Sequence, residues 1–121
     1  MKKKICVVTG SRAEFGLLTP LMEEFRHDID ILLQLIVTGM HLSSDYGSTY
    51  KEIEKENFEI NEKIDISLTS DTAVGISKST GLAIEGFARA YERLKPDIVV
   101  LIGDRFEILG AACAACICKV P

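Results

Sequence analysis

Val7-Val8-Thr9-Gly10-Ser11-Arg12-Ala13-Glu14-Phe15-Gly16-Leu17-Leu18 joins two kinds of hydrophobic pattern within twelve residues. The apolar run Ile5 to Val8 predicts a buried strand over Lys4 to Thr9, and Gly10-Ser11 predicts a sharp turn. Phe15, Leu18, Leu21, Met22 and Phe25 then recur at helical spacing, so the chain passes from strand to helix within a few residues. Pro20 interrupts this helix. A proline inside a helix lacks the backbone donor, so the expectation is a short first turn after Glu14, with the main helix starting near Thr19 as cap and Pro20 at its first position.

The same strand-then-helix alternation continues outward. Ile31 to Val37 is a second apolar run, bounded by Asp30 and Thr38-Gly39, and suits a central parallel strand. Ser43 to Ser48 is a cluster of turn formers, Thr49 to Glu56 a short charged helix, and Ile60 to Ile66 alternates as an edge strand would. A long helical pattern from about Thr72 carries Ala83, Ile84, Phe87, Ala88, Tyr91 and Leu94 and is stopped by Pro96. Asp97 to Ile102 reads as another buried strand that delivers Gly103-Asp104-Arg105-Phe106-Glu107 at its C-terminal end. The order predicts an α/β fold, a Rossmann-like three-layer sandwich with a mostly parallel sheet. Ligands bind such sheets at the C-terminal strand edge, where Gly10 to Glu14 and Gly103 to Glu107 both emerge. No repeat, linker or low-complexity segment is read along the chain. After the Ala/Cys-rich helix, Lys119-Val120-Pro121 looks like the start of a further strand, so a truncated domain is expected.

Composition bounds the function. The 121 residues are 47% hydrophobic and 26% charged, as in a soluble globular domain. A net charge of −4 argues against nucleic-acid binding, which needs a Lys/Arg excess to neutralise phosphates. Lys2 to Lys4 form a basic cluster that reads as a solvated lead-in to the first strand. The apolar runs are too short for a membrane span or a secretory signal, so no membrane partner and a cytoplasmic location are expected. Cys113, Cys116 and Cys118 lie among small apolar residues without a nearby His. They are read, with Cys6, as buried structural thiols, and no metal site is assigned.

Gly10 to Gly16 matches neither the Gly-x-Gly-x-x-Gly fingerprint nor the phosphate loop ending in Gly-Lys-Ser/Thr. It still combines the free N–H groups of a helix start, a Gly10 that allows close approach, and the permanent cation of Arg12, which together suit a diphosphate. An equally open reading has Arg12 paired with Glu14 or a surface carboxylate. Asp104 follows a buried strand directly, as a general acid or base in a cleft could, with Arg105 and Glu107 beside it. Asp104 as a simple helix cap is the alternative. His41 also follows a strand; His27 reads as a charge partner at a helix end, and Asp45 and Tyr46 as turn formers.

Three segments together, Val8 to Met22, Thr38 to Glu54 and Leu94 to Ala115, resemble the N-terminal part of the hydrolysing UDP-N-acetylglucosamine 2-epimerases. The resemblance implies that residues 1–121 are an incomplete N-terminal nucleotide-sugar domain, one half of a glycosyltransferase-B-type two-domain fold whose C-terminal domain is absent. It further implies conversion of UDP-N-acetylglucosamine and water to N-acetylmannosamine and UDP for sialic acid synthesis, without a cofactor. The C2 proton is removed, UDP leaves, and the glucal intermediate is rehydrated. Arg12, with Gly10 and Ser11, would hold the diphosphate. Asp104 would be the catalytic acid/base, with Arg105 and Glu107 supporting it or the substrate, and His41 and Asp45 near the sugar. Gly-Ser-Arg-Ala-Glu and Gly-Asp-Arg-Phe-Glu match the hydrolysing style, where non-hydrolysing relatives show Gly-Thr-Arg-Pro-Glu and Gly-Asp-Thr. A sister activity on a UDP-2,4-diacetamido-trideoxyhexose, feeding legionaminic acid, shares that style. A homo-oligomer, dimer or tetramer, is expected, and 121 residues alone are expected to have little activity. A non-catalytic nucleotide-binding domain and a glycosyltransferase of the same fold are the competing readings.

Overall fold

The computed structural model describes residues 2–42, 49–66 and 70–121, the side chains of Met40 and His41 excepted. Strand β1 (Lys3–Thr9) leads into helix α1 (Arg12–His27), then β2 (Ile31–Thr38), a 3-10 turn over Gly39–Leu42, and α2 (Tyr50–Lys55). Strand β3 (Glu62–Ile64), the long α3 (Ala73–Leu94), β4 (Ile98–Val100) and α4 (Phe106–Ile117) complete the described chain. The four strands form one parallel sheet in the order β3-β2-β1-β4. The chain therefore builds leftward from β1 to β3 and then crosses to the other side of β1. That reversal makes a crevice at the C-terminal ends of β1 and β4.

Each sheet face is covered, as a parallel sheet requires. On one face Phe15, Leu18 and Met22 of α1 pack with Val7, Leu35 and Val37, and Ile53 and Phe58 extend the layer. On the other, Phe87, Ala90 and Tyr91 of α3 and Ala111 and Ala114 of α4 meet Cys6, Val8 and Ile36. Complete burial of side chains such as Met22 and Phe87 contributes roughly 1.5–3 kcal/mol each. Helices α3 and α4 approach closely because Gly110 faces Ala83, where a Cβ would stand 2.7 Å from the alanine methyl. The Tyr91 hydroxyl donates to the Ala111 carbonyl at 3.0 Å across the same contact.

The expected Rossmann-like three-layer sandwich is present, with three local corrections. Helix α1 is continuous from Arg12 and capped by Ser11, so Thr19 is not a cap and Pro20 does not start a helix. Pro20 and Gly16, its partner one turn earlier, both lie on the exposed face, so the missing bond opens to solvent. The Thr19 hydroxyl instead donates to the Phe15 carbonyl at 2.6 Å. Strand β4 is shorter than the apolar run Asp97 to Ile102, and β3 shorter than Ile60 to Ile66. Cys113 is only partly buried and Cys116 is exposed, because α4 turns Ala111, Ala114 and Ala115 toward the core, and Cys118, the residue that caps the end of α4, is exposed as well. Cys6 is buried, and burial pushes its thiol up to about 12. The Pro121 carbonyl accepts the Val99 N–H at 2.9 Å, which ties residue 121 to β4. Among the described residues no helix is long and apolar enough to cross a membrane.

Candidate functional site

Gly10 follows β1, Gly39 follows β2, and Gly103 stands three residues beyond β4, so the loops of three neighbouring strands share one edge of the sheet. The first loop turns through Ser11, whose extended backbone (φ −150°, ψ 161°) sets it as the cap of α1. Its hydroxyl accepts the Glu14 N–H at 3.3 Å. Arg12 begins the helix with its side chain 74% exposed and pairs with Glu52 of α2 at 3.2 Å. Of the two readings of Arg12, the surface ion pair is present, but at this exposure it contributes at most about 1 kcal/mol and leaves the guanidinium within reach of a ligand.

Glu14 points inward. Its Oε1 accepts the Gly10 N–H at 2.9 Å, a variant of the capping box in which the third helical residue reaches back past the cap. Burial raises its pKa, the Gly10 N–H opposes that rise, and the nearby charges of Glu107 and Arg105 act in opposite senses.

Beyond β4, Asp104 is exposed at the mouth of the crevice. It does not cap α4: that position belongs to Arg105, which makes no side-chain cap. Glu107 is fully buried. Its Oε1 accepts the Arg105 Nε–H at 2.5 Å, while its Oε2 is buried without a partner among the described residues. The Arg105 guanidinium also lies 5.8 Å from the Phe106 ring centre. Asp104 and Arg105 thus sit at the surface of the strand-end loop, and Glu107 is buried beneath Arg105.

His41 belongs to the 3-10 turn after β2, which brings its backbone to the same edge. Asp45 and Tyr46 lie outside the described residues. His27 pairs with Glu23 at 3.3 Å, the helix-end partnership expected of it.

The inward turn of Glu14 was not anticipated from the sequence, although a signal for it exists there. Gly10-Ser11-Arg12-Ala13-Glu14 and Gly103-Asp104-Arg105-Phe106-Glu107 spell one pattern, Gly-x-Arg-x-Glu, after each of the two strands that bound the crevice. Its two glutamates are the two buried carboxylates among the described residues.

With this geometry in place, the family model for UDP-N-acetylglucosamine 2-epimerase matches residues 23–121. The chain belongs to that family. It is 48% identical over 120 residues to the GDP/UDP-N,N'-diacetylbacillosamine 2-epimerase (hydrolyzing) of Campylobacter jejuni, covering 99% of this chain and 31% of that protein. The UDP-N,N'-diacetylbacillosamine 2-epimerase (hydrolyzing) of Legionella pneumophila is 39% identical over 121 residues, covering 100% of this chain and 32% of that protein. The UDP-GlcNAc 2-epimerase of Neisseria meningitidis, solved bound to UDP-GlcNAc, superposes with a TM-score of 0.81 at 21% identity, over 98% of this chain and 30% of that one. The last comparison speaks for the fold alone. This 2-epimerase family chain thus spans about a third of the length of the curated relatives it matches.

Proposed function

We propose that this chain supplies one side of the active site of a hydrolysing 2-epimerase that acts on a UDP-linked 2-acetamido sugar. The reading is supported by the loops after β1 and β4, which follow neighbouring parallel strands at one sheet edge and carry between them an exposed carboxylate, Asp104, and the cations Arg12 and Arg105. Proton transfer needs the first, and a departing diphosphate the second.

In this reaction a base takes the C2 proton, and the electron pair of that bond becomes the C1=C2 double bond. The C1–O bond breaks and UDP leaves, giving a 2-acetamidoglucal. Water then adds, with hydroxide at C1 and a proton at C2 on the opposite face, so the free sugar is inverted at C2. Arg12 and the Gly10-Ser11 turn hold the diphosphate as its charge grows, with Arg105 alongside. Asp104 moves a proton, and His41 and Asp45 contact the sugar. UDP-N-acetylglucosamine, giving N-acetylmannosamine for sialic acid synthesis, is the simplest substrate of this kind. The names of the Campylobacter and Legionella relatives favour the UDP-2,4-diacetamido-trideoxy sugar instead, and the test must offer both.

The test uses the protein expressed from its coding sequence to the natural stop codon, with each UDP-sugar in deuterated water, and follows the products by proton NMR. Released UDP and a C2-inverted free sugar carrying deuterium at C2 support the reading. Asp104→Asn is expected to lose about a hundredfold or more in turnover while staying folded. A folded wild-type protein that turns over neither sugar, or an Asp104→Asn variant as active as wild type, refutes it.

A further inference from the structure

Two carboxylates lie under the candidate site. A Cβ at Gly10 would stand 3.1 Å from Glu107 Oε1 and 3.2 Å from Glu14 Oε1, so both acids press on one strand end. A Cβ at Gly39 would stand 2.9 Å from Glu107 Oε1, and one at Gly103 would collide with Glu14 Oε2. The three strand ends are therefore glycine where the carboxylates sit. Buried charge of this kind is costly, and an oxygen without a partner more so. Stability alone gives no reason to bury Glu107.

Its one strong contact gives a reason. Glu107 Oε1 takes the Nε–H of Arg105, and among the described residues the Nη groups of Arg105 carry no hydrogen bond or ion pair. A guanidinium gripped at Nε keeps its plane and presents its terminal amino groups as a fork, the geometry that recognises a diphosphate. Arg105 is also the cation whose field reaches Glu14. Arg12 has no such anchor: its Nε meets an exposed glutamate, in a pair where both side chains are solvated.

We propose that Glu107 is a positioning residue, which holds Arg105 from beneath so that the guanidinium fork meets the diphosphate of the nucleotide at the β1–β4 crevice. The proposal rests on the 2-epimerase reading above and adds how its phosphate contact is set.

The test is a double-mutant cycle on UDP affinity in the full-length protein, read by titration calorimetry, with turnover measured in parallel. Glu107→Gln keeps the volume and removes the charge, and it is expected to weaken UDP binding about tenfold. Arg105→Ala is expected to weaken it at least as much, and Glu107→Gln added to Arg105→Ala to cost nothing further. A Glu107→Gln protein that is folded and binds UDP like wild type, or two losses that simply add, overturns the proposal. If Glu107→Gln does not fold, Arg105→Lys decides: it keeps the charge but cannot be held at Nε, so a similar loss supports the proposal and wild-type affinity overturns it. Failure of the 2-epimerase reading is separately visible, as a wild-type protein that turns over neither UDP-sugar.

Discussion

Gly39→Ala tests the packing at the strand ends most directly. Gly39 has φ +62°, where a Cβ costs roughly 1–2 kcal/mol. The new methyl would stand 2.9 Å from Glu107 Oε1 and 2.9 Å from the Gly10 carbonyl oxygen. Neither neighbour yields cheaply: Glu107 is fully buried and tied to Arg105, and the Gly10 carbonyl is backbone. Overpacking of this kind adds about 1–3 kcal/mol, and the lower entropy of the unfolded alanine chain returns about 0.4–1 kcal/mol. The net expectation is a loss of about 2–4 kcal/mol, or on the order of 10 °C in Tm for a chain of this size. Urea unfolding of the 121-residue chain, followed by far-UV circular dichroism, should show a lower midpoint at an unchanged slope. A loss below about 1 kcal/mol, the ordinary cost of a point mutation, would mean that the strand ends have room to spare and that the carboxylates do not press on them.

Gly16→Ala should do the opposite, because a Cβ there meets nothing within 4 Å in an exposed helix interior, and a gain of about 0.5–1 kcal/mol is expected in the same assay. Glu14 adds a pH dependence. Its raised pKa means that the folded state holds the proton longer than the unfolded chain, so its contribution is full below the ordinary value of 4.5 and is lost as pH rises through the raised one. Glu14→Gln, which keeps an acceptor for the Gly10 N–H, should gain stability relative to wild type as pH increases across that window; parallel midpoints at all pH values would contradict this. Thiol labelling under native conditions should be fast at the exposed Cys116 and Cys118, whereas Cys6, buried with its thiol pushed up to about 12, should react only on unfolding.

The fold was legible because its signals are local and periodic. Phe15, Leu18 and Met22 lie on one helix face whether or not Pro20 follows, and the buried strands β1 and β2 read as unbroken apolar runs. The Pro20 interruption misled because a proline rule describes the lost bond and not the side of the helix on which it is lost. That the loops after β1, β2 and β4 share one sheet edge was legible for the same reason, since strand ends can be counted along the chain. The identity of the groups beneath it was not. Glu14 and Glu107 are charged residues in first helical turns, the setting in which glutamates usually face water and complement the helix dipole. Their burial depends on glycines in the loops that follow β1, β2 and β4, and no local window contains all three.

The repeated pentad also shows why pattern alone stops short of chemistry. In the first copy the helix is capped at Ser11, so Arg12 is already helical and points outward, and Glu14 folds back to the Gly10 N–H. In the second the cap is one position later, at Arg105, which keeps an extended backbone (φ −80°, ψ 161°). Glu107 is then only the second helical residue, and its carboxylate passes under the strand ends to reach Gly39 and the guanidinium of Arg105. A shift of one residue in where the helix starts thus converts the same five-residue spelling from a solvated arginine over a self-capping glutamate into an arginine anchored on a buried one. The exposed arginine can follow a ligand, and the anchored one can orient it.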